Sequence, residues 1–254
     1  MLELLSLGIE AVDNALGGVR EGSSILIHEQ DPRSMGRELA FMFLKKKLQE
    51  DNLIGMFNLS YPLPTLFHLL MKRGVDAESY LRSKNLVIID TFGSLYGHRV
   101  EMEGVQYLKG SLSPEVLSKK YADVVGAHKE EWARLGMFEG RELWGISMNI
   151  NEYTKIFNES TVLSYFEVSA ETRRRHRAYR EYPTGTNIWV YVGGPDRVFA
   201  SLYRRMDYVI RTQSERVGDA IKRYLCILKA PGLWQPITFE YSFGPDGVEF
   251  RRID

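Results

Sequence analysis

The 254-residue chain predicts an α/β fold: a mostly parallel sheet with helices on both faces and antiparallel strands at its C-terminal end. Three observations predict it. Strand and helix patterns alternate for the first four-fifths of the chain, after which strand follows strand. Asn85 to Phe92, N-L-V-I-I-D-T-F, is the continuous apolar run expected of a central parallel strand covered on both faces. Ile25 to Leu44 places an apolar strand, a short polar loop and an amphipathic helix end to end, the order of a phosphate-loop unit.

Taken in order, Ser23 to Glu29 is β-branched and bounded by Gly22 and Asp31-Pro32, which marks a buried strand. Arg33 to Gln49 has helical periodicity, with Leu39, Phe43, Leu44 and Leu48 on one face. Leu53 to Leu59 is the next strand. Pro62 and Pro64 open a helix that stops at Gly74, and Asp76 to Ser83 is a shorter one. Ser113-Pro114-Glu115 starts a helix expected to reach about Leu135, since proline suits a first turn. Leu143 to Ile150 is a strand, and Glu152 to Tyr182 is mostly helical with a break near Asn158. Asn187 to Val192 is a strand and Asp196 to Met206 a helix. Tyr208 to Thr212, Ala220 to Lys229, Ile237 to Phe243 and Val248 to Arg251 are strands, the last entered through a turn at Pro245-Asp246-Gly247. Nothing reads as a linker or a repeat, so residues 1–254 are expected to form one domain.

Composition narrows the function classes. Lys+Arg and Asp+Glu both number 33, a formal net charge of zero, which argues against a dedicated nucleic-acid binder. The single cysteine, Cys226, lies in the apolar run Tyr224 to Leu228 and is expected to be a small core residue. No stretch has the basic start of a signal peptide or approaches the ~18 apolar residues of a membrane span. A cytoplasmic protein without a membrane partner is the expectation. The five histidines show no ligand spacing, and no metal site is expected. Within that set, His68 is expected to pack in an apolar helix, and His28, beside the loop, is a candidate remnant ligand contact.

The line L-S-L-G-I-E-A-V-D-N-A-L-G-G-V-R-E-G-S-S-I-L-I resembles the opening of KaiC-like ATPases of the RecA superfamily. Gly8, Ile9, Asp13, Leu16, Gly17, Gly18, Gly22 and Ser23 match, one glycine being missing after Gly18. The stretch from Met206 to Gly232 is similar to the strand, hairpin and strand that end in K-x-R-G in that family, and the order of elements between agrees. The resemblance covers nearly the whole chain, extends in general look to an archaeal branch of these proteins of unknown function, and implies a RecA-like sheet with ATP and Mg²⁺ at the loop.

The residues that would use them depart from the family's pattern. The motif G-x-x-x-x-G-K-[ST] becomes Ser34-Met35-Gly36-Arg37, with Gly36 at the lysine position and Arg37 at the hydroxyl position. A shift of one residue puts Met35 and Gly36 there. Where the resemblance implies a water-activating Glu-Glu pair, the chain has Ser60 and Tyr61. Where it implies a metal-organising Asp, the chain has Met148 or Asn149. Lys229-Ala230-Pro231-Gly232 keeps the lysine of the last element and loses its arginine. Glu29 and Asp31 put negative charge where phosphate would lie. Phosphoryl transfer depends on positioned charges, so the expectation is a non-catalytic pseudo-ATPase that needs no cofactor. It would act through a protein partner or by self-assembly. The alternative is a nucleotide-binding or weakly hydrolysing enzyme with a rerouted site. Its remnant contacts would be Arg33, Ser34, Gly36, Arg37 and Lys229, with ATP and Mg²⁺ bound. A nucleic-acid-binding recombinase relative is the third reading.

Other signals are weaker. Asp90 ends the strongest strand and is expected to form a turn. Arg173, Arg177 and Arg180 are expected to share a helix face, either solvated or facing a partner. Val192-Gly193-Gly194-Pro195-Asp196 turns at a strand's C-terminal edge, where open α/β sheets bind ligands. Trp234 and Phe239 are candidate interface anchors.

Overall fold

The computed structural model describes residues 4–244 and 247–253. The elements are β1 (Leu4–Leu5), α1 (Glu10–Leu16), β2 (Val19–Arg20), β3 (Ser24–Glu29), α2 (Gly36–Gln49), β4 (Leu53–Asn58), α3 (Leu63–Met71), α4 (Ala77–Arg82), β5 (Leu86–Asp90), α5 (Thr91–Tyr96), β6 (Val105–Gln106) and α6 (Pro114–Arg134). There follow β7 (Leu143–Met148), α7 (Tyr153–Ile156), α8 (Glu159–Arg175), β8 (Thr186–Val192), α9 (Asp196–Arg205), β9 (Tyr208–Val217), β10 (Ala220–Lys229), β11 (Ile237–Gly244) and β12 (Gly247–Arg252). β1 and β2 form a separate ribbon, and the other strands make one ten-stranded sheet ordered β12-β11-β10-β9-β3-β8-β7-β4-β5-β6. All pairings from β9 to β6 are parallel; β9 to β12 are joined antiparallel. The expected α/β sheet with antiparallel C-terminal strands is the one that forms.

Alternation along each strand sorts side chains onto two faces. Ile25, Ile27, Trp144, Ile146, Ile188 and Val190 pack in one core with Leu39, Phe43 and Leu44 of α2. Leu26, Tyr191 and Val209 pack in a second with Tyr121 and Val125 of α6, Tyr165 and Phe166 of α8, and Val198 and Leu202 of α9. The Asn158 side chain accepts the Thr161 amide and caps α8, which places the expected break there.

Several expectations are corrected. β5 is fully buried but lies next to the two-residue edge strand β6, not at the sheet centre. An apolar run reports cover on both faces, not rank in the sheet. β9 continues past Thr212 to Val217 because its outer half pairs with β10 rather than with the core. The helix expected from Arg33 is interrupted: Pro32–Ser34 is a 3-10 turn, and Met35 adopts the left-handed region (φ 58°) before α2 begins at Gly36. α8 ends at Arg175, with His176 extended, so Arg173 does not share a helix with Arg177 and Arg180. Arg174 and Arg175 pair with Glu171. Cys226 is half-buried, because β10 is covered incompletely, and His68 is exposed on the outer side of α3. Apart from Gly247, the expected turn at Pro245-Asp246-Gly247 lies outside the described residues. Among the described residues no helix is long and apolar enough to cross a membrane.

His128 on α6 is buried and meets Trp132 edge-on, ring centres 4.8 Å apart. Burial, helped by the neighbouring Lys129 charge, lowers its pKa to about 3. Above the unfolded value of about 6.5 the ring is neutral in both states. As pH falls towards 3, only the unfolded chain takes up the proton, so stability is lost on acidification at up to about 1.4 kcal/mol per pH unit. Urea unfolding should therefore show His128→Phe gaining on wild type as pH drops from 6.5 to 4, with a constant difference above pH 7. A difference that stays flat down to pH 4 contradicts the assignment.

Candidate functional site

The loop after β3 lies where the resemblance puts a nucleotide, and its local structure follows from Asp31. Pro32 biases the preceding residue towards extended backbone, and Asp31 is extended (φ −141°, ψ 149°). Its Oδ1 accepts the amides of Arg33 (3.0 Å) and Ser34 (3.2 Å), curling the chain into the 3-10 turn. Oδ1 also accepts the Ser214 hydroxyl (2.6 Å), and Oδ2 the Ser214 amide (2.8 Å), so the turn is tied to β9. Ser34 is fully buried; its hydroxyl donates to the Asp31 carbonyl (2.7 Å) and meets Thr212 Oγ1 at 3.0 Å. The Tyr241 hydroxyl donates to the Ser34 carbonyl, and Arg223 Nε to that of Arg33 (2.8 Å).

The first turn of α2 is closed in the same manner. A helix N-terminus holds unpaired amides that attract an anion. Here the anion is Glu29, at the end of β3 and fully buried. Its Oε2 accepts the Arg37 amide at 2.6 Å, and Arg37 Nε approaches Oε1 at 3.0 Å. Burial raises the Glu29 pKa, against the opposing pull of the Arg37 amide and guanidinium. Gly36 is required by space: a Cβ there would lie 2.2 Å from Thr212 Oγ1 and 3.3 Å from Glu29 Cβ.

Beside the loop, the C-terminal ends of β4, β5 and β7 carry a chain of polar contacts. Asn58 Nδ2 donates to Asp90 Oδ1 (2.8 Å) and to the Tyr61 carbonyl (2.7 Å), and its Oδ1 accepts the Tyr61 amide (3.2 Å). Asn149, in the left-handed region (φ 55°), donates to the Tyr61 hydroxyl at 3.2 Å. The positions that the resemblance gives to a base and a metal carboxylate thus do meet, as Tyr61 and Asn149, with no charge between them. Asp90 accepts the Gly93 amide (3.0 Å), capping α5, and burial raises its pKa. Among the described residues no group of three or more His, Cys, Asp or Glu could hold a metal ion.

Of the five candidate contacts, Arg33, Ser34, Gly36 and Arg37 lie together on the loop, with Ser34 and Gly36 buried. Lys229 does not join them. β10 runs antiparallel, so Lys229 pairs with Val209 and its ammonium donates to the Tyr203 (3.0 Å) and Arg204 (3.3 Å) carbonyls at the end of α9. His28 is buried on the opposite face against Phe199, ring centres 4.2 Å apart, and burial with the nearby Arg211 charge lowers its pKa to about 4. Thr212, Ser214, Arg223 and Tyr241, which hold the loop down, were not foreseeable from its sequence. They are remote in the chain, and only the strand register brings them near.

The tight contact at Gly36 gives a direct test. Gly36→Ala should destabilise the fold by about 1–3 kcal/mol, the usual cost of overpacking. Adding Thr212→Ala, which removes the hydroxyl in the way, should recover part of the loss in a double-mutant cycle of urea midpoints. Strict additivity of the two changes contradicts the contact.

No protein-family model matches the chain, and no curated protein does. Among solved structures, the KaiC-like protein PH0186 from the hyperthermophilic archaeon Pyrococcus horikoshii OT3 matches with a TM-score of 0.73 at 16% identity, over 99% of this chain and 100% of that one. That match assigns a KaiC-like fold of the RecA type. The uncharacterized protein PH0321 from Pyrococcus horikoshii, whose crystal structure is a complex with an unknown peptide, matches with a TM-score of 0.93 at 44% identity, over 98% of this chain and 100% of that one. With that identity along nearly the full length of both, the chain belongs to the same family as PH0321.

Proposed function

We propose that this chain is a non-catalytic member of the KaiC-like fold that works by holding a protein or peptide partner. The observation that carries the reading is the occupied loop. The amides of Arg33, Ser34 and Arg37 point at Asp31 and Glu29. A triphosphate would have to displace or face both carboxylates, with no lysine to offset its charge. The residues present do not fit ATP with Mg²⁺. A rerouted site has little to draw on, since Arg37 is paired with Glu29 and Lys229 is turned to α9.

Two further observations favour contacts with a partner. Trp234, in the loop between β10 and β11, is 97% exposed, an unusual placement for a residue type that dominates binding hot spots. Phe239, its companion in the sequence reading, is instead buried against Phe250 in the sheet. The relative PH0321 is described in complex with a peptide, which suits a fold used for holding chain segments.

Calorimetry with ATP and Mg²⁺ is expected to show no saturable heat, and phosphate release is expected to stay at background. Robust Mg²⁺-dependent turnover that disappears in Arg37→Ala would overturn the reading. Light scattering at tens of micromolar should show an assembly, or a complex with a partner recovered from cells, that Trp234→Ala weakens by about tenfold or more, on the order of 1.4 kcal/mol. A monomer in both forms, with no partner recovered, removes the support for contacts through Trp234.

A further inference from the structure

The face of the sheet under α6 and α8 holds a cleft that the loop does not explain. β7 and β8 lie inside the sheet, with β4 beside β7, and the other faces of β7 and β8 are filled by bulky buried groups: Trp144, Ile146, Met148, Ile188 and Val190. On the cleft side the floor is Phe57, Gly145, Ser147, Asn187 and Trp189, and solvent reaches all five, which are only half-buried. A strand that packs tightly on one face and carries glycine and serine on the other leaves space by composition. The space is about 70 Å³ and open at its mouth, and a second hollow of about 40 Å³ shares Phe57, Tyr179 and Asn187 with it as lining.

The walls are aromatic with polar tips. Tyr121, Tyr153 and Tyr165 are buried, their hydroxyls joined to each other (2.7 and 3.4 Å) and to Thr91 (2.7 Å). Electrostatics are one-sided, because no carboxylate lines either hollow. Arg173 lines the first and Lys129 the second, their charged ends 5.6 and 5.0 Å from the centre of the Tyr179 ring. Neither has a carboxylate partner among the described residues. Lys129 is buried and donates only to the Ala178 (3.1 Å) and Pro183 (2.6 Å) carbonyls. Burial, with the Arg173 charge, lowers its pKa to about 8. Two cations beside an aromatic cleft without a counter-charge favour an anionic guest. An aromatic lining with a few orienting polar groups is the usual make-up of a small-ligand site.

We propose that this cleft binds a small aromatic carboxylate, with its ring over the Ser147–Trp189 floor among the tyrosines and its carboxylate at Arg173. The same chemistry is offered by a free aromatic acid and by a peptide ending in an aromatic residue, and the site stands whether or not the loop binds nucleotide.

Calorimetry and tryptophan fluorescence of the full chain would use 4-hydroxyphenylacetate and the tripeptide Gly-Gly-Phe, each beside its amide. The expected result is saturable binding of one or both acids and none of the amides. Arg173→Ala, at the half-exposed mouth, and Ser147→Leu, which fills the floor, should each weaken it by about tenfold or more. The tighter of the two acids identifies the source. Absence of saturable binding, equal binding of acid and amide, or unchanged affinity in either folded variant overturns the proposal. Arg173→Ala carries the test should Ser147→Leu fail to fold.

Discussion

Glu29 ends the strand at the middle of the sheet and puts a carboxylate, fully buried, against the Arg37 amide in the first turn of the following helix. Much of the loop's form depends on that contact. A helix N-terminus is a positive end that must be met by something. In a phosphate-binding fold the ligand meets it; here the chain does, from the preceding strand. With the end satisfied, the loop is free to fold down. Asp31 curls it, Ser34 is buried beneath Thr212, and the antiparallel strands reach over to tie it at Ser214, Arg223 and Tyr241. Gly36 is then fixed as glycine by packing against Thr212 and Glu29.

The two faces of the sheet divide the molecule's character. One face is a core of aliphatic and aromatic side chains against α2, where β7 contributes Trp144, Ile146 and Met148. The other carries buried hydroxyls, two buried histidines held neutral by desolvation, and a lysine with no carboxylate partner among the described residues. Polar groups without full compensation are costly inside a protein. On the α2 side the buried charges Glu29 and Lys47 are paired, with Arg37 and Glu142, whereas Lys129 meets only carbonyls among the described residues.

Most of the fold was legible in the chain. Strand and helix periods separate cleanly, proline and glycine mark the joints, and the shift from alternation to consecutive strands foretold the antiparallel end. What was not legible depended on register and on cover. Nothing local distinguishes Lys229 beside the loop from Lys229 at the end of α9; only the antiparallel course of β10 decides it. The continuous apolar run of β5 shows that both faces are covered and is silent on its neighbours, so a penultimate strand reads as a central one. The loss of the lysine from the loop could be read directly. That Glu29 and Asp31 take over the freed amides could be anticipated only as misplaced charge, because the chain does not state where carboxylate oxygens will point.

The register of the sheet also bears on how the chain reaches this state. β3 is made early, yet both its neighbours, β8 and β9, come from the far part of the chain, with Ser24 opposite Asn187 and Ile25 opposite Tyr208. During synthesis at roughly 5–20 residues per second, the apolar Ser24–Glu29 segment therefore waits on the order of ten seconds for a partner. β4 and β5, with α3 and α4 between them, can pair long before. Assembly is expected to start from that local unit and to end with the insertion of β3, the kind of long-range closure that slows folding. The strand that bears the buried carboxylate is thus the one whose edges stay open longest, and in that interval it depends on α2, its neighbour in sequence, for shelter.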